Sequence, residues 1–426
     1  MKSMHGVSYG GTIYQIFLPT FDENGTLSSA VKKLPEIAAL GVEVLYLCPV
    51  TVHDDDPDTE HWSRRQIESG LGNPKNPYRT SDWYNIDSQY GTKEDLCDFI
   101  KEAHKLKMKV ILDIVFYHCG PKAVFLKDHP DFIVRDENSE PVCGEWRFPE
   151  MNFENEELRN YLYDALVYMI ENYDCDGFRI DVGDYMPLSF WEEARKRCDA
   201  TGKDIFILNE GSYVSFLEKA MDVNYHFPFH EGLFDALNEY KTEKLFAAIK
   251  SEPELTTSET RLLRCIETHD VVNDICAKYG KRIETLIGAD AMRLALFTCF
   301  VLRGVPFIFG GCEYADEAIM SMFSNRFYGQ MHIDRSKGIK ERYRFLQALI
   351  GYKKESPILQ FGTETVVCDG NLLTVNREYC DEKIVSIMNF DIESRSVTIP
   401  KGNVIFSQNL KNGILEKHGF ALIQCR

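Results

Sequence analysis

Four carboxylates interrupt or close apolar runs in this chain, Asp113 within its run and three at or near the ends, and their placement suggests acid–base and nucleophilic chemistry. Asp113 lies in KVILDIVF, Asp181 in GFRIDV, Glu210 closes DIFILNE, and Asp270 closes RLLRCIETHD. A carboxylate in an apolar run needs partners, because desolvation disfavours its charge. Splitting a glycosidic bond needs two such groups, one protonating the leaving oxygen and one attacking the anomeric carbon or activating water. Glu210, delivered by an apolar strand, suits the acid, whose pKa must be raised. Arg179 stands two residues before Asp181, on the same face of a strand, where its guanidinium can hold that carboxylate ionised as a nucleophile requires. His118 and His269 also fall at strand ends, as donors for neutral hydroxyls.

These groups need a frame that brings strand ends together. Strands are expected at 12–18, 42–49, 109–116, 177–182, 204–210, near 221–226, at 261–270 and at 304–311. Helices are expected at 27–40, 94–107, 157–173 and 289–302, with another ended by Gly202. About eight strand-then-helix units with continuous apolar strands predict an α/β fold, a (β/α)₈ TIM barrel; an open doubly wound sheet is the rival. The barrel would occupy 1–118 and 152–350. A small turn-rich insertion, 119–151, follows the third strand. From about 356 to 426 short, closely spaced runs predict a C-terminal antiparallel β-sandwich with a stabilising role. The acidic run from His53 to Asp56 reads as a solvated loop.

The chain has 426 residues, 44% hydrophobic, with 27 Phe and 21 Tyr, enough for a large core and for sugar-stacking platforms. A net charge of −18 argues against nucleic acid and acidic membranes and is neutral toward a glycan. No signal peptide or membrane-spanning run is evident. Thirteen cysteines, none spaced C-x-x-C, argue against a zinc ribbon or disulfide framework and for a reducing, cytoplasmic location.

In order along the chain, DIVFYH (113–118), GFRID (177–181), LNE (208–210) and THD (268–270) resemble the four motifs of the α-amylase family of glycoside hydrolases and transglycosylases. GVEVLYLCP, PYRTSDWYNIDSQYGT, PEMN and GVPFIFGGCE resemble its supporting segments. The resemblance implies a retaining mechanism with Asp181 as nucleophile, Glu210 as acid/base and Asp270 as transition-state stabiliser. Tyr78, His118, Arg179 and His269 would bind the sugar, Tyr78 by stacking. It implies an enzyme cleaving α-1,4-glucosidic bonds of maltodextrins. The alternatives are an α-glucosidase, including α-1,6 cleavage, or a transglycosylase; a non-catalytic sugar- or partner-binding barrel is more remote.

Three departures matter. Tyr117 replaces an Asn that commonly binds calcium, and a phenol is a poor Ca²⁺ ligand. No cofactor is therefore required and no metal ligand is assigned, with calcium elsewhere left open. Asp184 and Tyr185 replace a Lys-His pair that contacts the leaving chain, so the acceptor side must differ. Thr268 stands where Asn is common.

Overall fold

The computed structural model describes residues 3–271, 280–318, 320–329 and 331–425. Eight parallel strands close into a barrel: β1 (Ile13–Ile16), β2 (Val44–Leu47), β3 (Lys109–Ile114), β4 (Gly177–Ile180), β5 (Phe206–Asn209), β6 (Val223–Asn224), β7 (Arg261–Arg264) and β8 (Val305–Phe309). Each strand pairs with the next in sequence, and β8 returns to β1. The closed ring excludes the open-sheet rival. Nearly every strand residue is buried, which is why the runs are apolar throughout rather than alternating.

Several elements are shorter than their apolar runs suggest. The first strand stops at Ile16 and passes into a short helix, Leu18–Phe21, with Pro19 in its first turn. The expected 27–40 helix is two, Leu27–Val31 and Leu34–Leu40, because Pro35 has no N–H to continue the first. The seventh strand ends at Arg264, so Asp270 stands on the loop that follows.

Two excursions rise over the C-terminal mouth. Between Cys119 and Met151 the chain forms 3₁₀ turns at Val124–Lys127 and Pro130–Phe132 and isolated bridges such as His118 to Glu150. A second excursion, not apparent in the sequence, follows β2 and pairs Thr51–His53 with Thr80–Ile86. Here the acidic run is solvated only in part: His53 and Asp54 are 2% and 1% exposed, while Asp55 faces solvent. Asp54 accepts from the Lys122 N–H at 2.7 Å and lies beside Arg79, tying the excursions together. A Cβ at Gly120 would strike the Asp54 carboxylate, so only glycine fits there. The polarity of His53 and Asp54 is used internally, which charge patterning cannot reveal.

The C-terminal segment is antiparallel: β9 (Thr363–Asp369), β10 (Leu372–Tyr379), β11 (Glu382–Asn389), β12 (Arg395–Ser396), β13 (Gly402–Lys411) and β14 (Ile414–Cys425). All six join through β14, which pairs β11, β12 and β13. One face presents Met388, Phe420 and Leu422 to the barrel, where Phe420 stacks on Phe297 at 4.1 Å. The opposite face buries Val385, Ile387, Leu415, Ala421 and Ile423 in a small core of its own.

Candidate active site

Strands β3 and β4 pair Asp113 with Arg179 in register, so both side chains emerge side by side inside the barrel. Arg179 is fully buried and organises three carboxylates. Its Nη1 donates to Asp113 Oδ1 at 2.8 Å and Asp181 Oδ1 at 2.9 Å, and its Nη2 donates to Glu210 Oε2 at 2.5 Å. The other oxygen of Asp113 accepts from the hydroxyls of Tyr46 and Tyr78, at 2.6 and 2.9 Å. Asp113 is thus fully engaged, whereas Asp181 and Glu210 each face the cleft.

Immediately after Asp181 the backbone turns sharply. Val182 has φ 39° and ψ 47°, a left-handed conformation that a β-branched residue rarely adopts. Such strain costs on the order of 1–3 kcal/mol. It aims the Val182 N–H at Glu210 Oε2, 3.2 Å away. Asp184 anchors the loop beyond Glu210 by accepting from the Ser212 and Tyr213 N–H groups at 2.6 and 3.1 Å. Its carboxylate lies against Gly211, where a Cβ would collide with it.

His269 and Asp270 form the opposite wall. The His269 N–H donates to Gln15 Oε1 at 3.1 Å, which orients the amide so that Gln15 Nε2 donates to His269 Nδ1 at 2.7 Å. The ring proton is therefore on Nε2, 2.6 Å from the Tyr78 hydroxyl and 3.1 Å from Asp270 Oδ2. Tyr78 also stacks on His269 at 5.3 Å. Arg65, from the excursion after β2, donates to Asp270 Oδ1 at 3.1 Å and to its carbonyl at 3.0 Å. His118 Nε2 bonds the Tyr78 carbonyl at 2.8 Å, and its ring packs on Trp146 and Phe148.

These groups line one cleft of about 780 Å³ that contains Tyr78, His118, Asp181, Glu210 and Asp270. Trp146 stands on its rim, packed with Tyr117 and the exposed Tyr185, whose rings lie 5.2 Å apart. The phenol of Tyr117 thus belongs to an aromatic cluster. Among the described residues no group of three or more His, Cys, Asp or Glu could hold a metal ion.

Electrostatics separate the acids. Burial pushes Asp181 and Glu210 above the usual carboxylate range; Arg179 opposes this, and neighbouring carboxylates add to it. Two acids sharing one cation titrate as a unit, and that unit retains a proton more readily than a free carboxylate. Burial also works to raise Asp270, but His269, Arg65 and Arg179 outweigh it and hold that carboxyl low. Burial pushes His118 down to about 4 and lowers His269, so both rings are neutral at pH 7.

All seven residues singled out in the sequence lie in this constellation. Gln15, Tyr46, Arg65 and Trp146 escaped that reading. Gln15 had a signal, as a polar residue within the apolar strand IYQI. Arg65 and Trp146 sit in irregular loops, where periodicity is silent.

A parallel barrel with clustered carboxylates at its C-terminal mouth has the construction of a (β/α)₈ enzyme. The family model for the α-amylase catalytic domain matches residues 13–139 and 143–343, and the chain belongs to that family. It is similar to a cyclomaltodextrinase of Geobacillus thermopakistaniensis (strain MAS1), 25% identical over 416 residues, covering 90% of this chain and 65% of the relative. The chain thus spans just under two thirds of that relative's length. An intracellular maltogenic amylase of Bacillus subtilis is 29% identical over 201 residues, covering 44% of this chain and 31% of that protein. The crystal structure of an α-amylase from Lactobacillus plantarum superposes with a TM-score of 0.82 at 22% identity, covering 98% and 99% of the two chains.

Proposed function

We propose that this protein is a retaining glycoside hydrolase cleaving α-1,4-glucosidic bonds of maltodextrins. One observation carries the reading: Asp181 and Glu210 occupy the two ends of a single buried guanidinium, with Asp270 across the same cleft. The shared cation keeps the two carboxyls within reach of one another, which favours the shorter spacing of a retaining pair. Asp181 attacks the anomeric carbon while Glu210 protonates the leaving oxygen. Glu210 then takes a proton from the incoming water as the ester to Asp181 breaks. Asp270, held low and pinned by Arg65, accepts bonds from hydroxyls of the distorted sugar. His118, Arg179 and His269 complete that subsite, and Tyr78 offers its ring.

The names of the similar proteins support maltodextrin as substrate class and, with the Bacillus subtilis relative, an intracellular location. All twelve cysteines among the described residues are free thiols, which agrees with a reducing compartment. The Tyr117 cluster supports activity without calcium, so EDTA should leave the rate on maltoheptaose unchanged. The deciding experiment is NMR of fresh products from maltoheptaose. Shorter oligomers released first as the α-anomer are expected. Release as the β-anomer would overturn retention, and inertness on maltoheptaose, panose and pullulan would overturn the activity.

A further inference from the structure

Behind Glu210 lies a second hollow, about 100 Å³, whose largely apolar wall carries Glu210, Tyr225, His226, His230, Glu231 and Asp270 among its polar groups. Glu210 and Asp270 also line the main cleft, so they stand in the partition between the two. Tyr225 and His226 directly follow β6, the shortest barrel strand, and are 6% and 5% exposed. The Tyr225 hydroxyl and His226 Nε2 have no hydrogen-bond partner among the described residues.

The protonation of His226 follows from its other nitrogen. Arg264 Nη1 donates to His226 Nδ1 at 2.9 Å, and a guanidinium can only donate. Nδ1 is therefore the lone-pair nitrogen and Nε2 carries the hydrogen. Burial and the Arg264 charge depress the ring to about 3, so it stays neutral. The hollow thus presents an O–H and an N–H donor with no protein acceptor, beside a carboxylate that must act as base. Buried donors left unmatched are costly, and a hollow of this size holding several polar groups admits water.

The geometry points to a water chamber that feeds the second half-reaction, with Tyr225 and His226 as positioning residues. The inference rests on the retaining reading above. In the step it serves, the C1–oxygen bond to Asp181 breaks and a bond from the water oxygen to C1 forms. The water's proton passes to Glu210, and Asp181 leaves as carboxylate. Tyr225 and His226 donate hydrogen bonds to chamber water and exchange no proton. Water entering beside Glu210 need not await departure of the leaving chain, so it competes ahead of a sugar acceptor. The chamber therefore biases the enzyme toward hydrolysis over transfer.

The test is the ratio of transfer to hydrolysis products from maltotriose at fixed added maltose, in wild type, Tyr225→Phe and His226→Gln. Tyr225→Phe removes one hydroxyl and keeps the ring beneath Arg179, 5.6 Å away. The expected result is a ratio about three- to tenfold higher, the effect of losing one useful hydrogen bond, with slower hydrolysis. An unchanged ratio in both variants, or hydrolysis and transfer falling together, would overturn the chamber. A wild type inert on every α-glucan would instead overturn the activity itself.

Discussion

Two buried charge clusters lie at opposite ends of the barrel, with opposite balances. At the mouth one arginine, Arg179, serves Asp113, Asp181 and Glu210, with Asp270 nearby. At the floor, where the C-terminal sheet docks, four cations gather: Arg261, Arg303, Lys353 and Arg377. Their partners are mainly backbone oxygens. Arg261 donates to the Ser258 and Thr260 carbonyls, Arg303 to that of Thr257, Arg377 to those of Ile358 and Leu359, and Lys353 to those of Phe300 and Leu302. Glu364, 3.0 Å from Arg377, is the carboxylate among these contacts. A carbonyl does not take up a proton near neutrality, and a carboxylate in a crowded site does. The floor's oxygen partners therefore exchange few protons, and its shifted member is Lys353, which burial pushes well below its ordinary range without giving it a task. The mouth is adjustable, which acid–base chemistry needs.

The contrast can be broken by single substitutions. Asp181→Asn should cost on the order of 10⁴-fold or more in kcat on maltooligosaccharides. Its melting temperature should hold or rise, because one of several crowded like charges is gone; a falling melting temperature with activity retained would contradict the assignment. Arg179→Lys should lose about 10²–10³-fold in kcat/KM, since a point charge cannot serve three carboxylates at once. At the floor, Lys353→Met should lower stability by about 1–3 kcal/mol in urea titrations, through two abandoned carbonyls. Its kcat/KM should stay within about twofold of wild type, as far as the cluster is purely structural.

A pH profile sharpens the same contrast. Asp181 must be ionised to attack and burial raises it, so the acid limb of kcat/KM should be set by the Asp181–Glu210 pair, while Asp270, held low partly by Arg65, stays charged below it. Arg65→Met removes a cation that favours the charged form, raises the Asp270 pKa toward that of the pair, and should steepen the acid limb as Asp270 begins to protonate with it. A limb of unchanged slope would mean that Asp270 stays charged without Arg65.

The sequence carried the barrel because eight buried parallel strands must be written as apolar runs, and a charged residue inside such a run stands out. Asp181, Glu210, Asp270 and Arg179 were legible for that reason, His118 and His269 as residues at strand ends, and Tyr78 through the family resemblance. The excursion after β2 was not, because its strands pair only with each other and its polar residues bond inward. Asp54 looks like any surface acid until Lys122 and Arg79 are placed beside it. Arg65 reaches Asp270 across 205 positions of chain, a separation no local pattern encodes. Tyr225 and His226 follow a two-residue strand, too short for any periodic signal.

Val182 carries a consequence for how this protein ages under selection. Its left-handed backbone is tolerated because it presents an N–H to Glu210. A search that rewards only survival at high temperature should replace it with glycine, relieving on the order of 1 kcal/mol. Val182→Gly should therefore melt slightly higher and turn over more slowly, as differential scanning and steady-state rates would record. Heat-hardened descendants that keep a β-branched residue here would be those in which speed was under selection too.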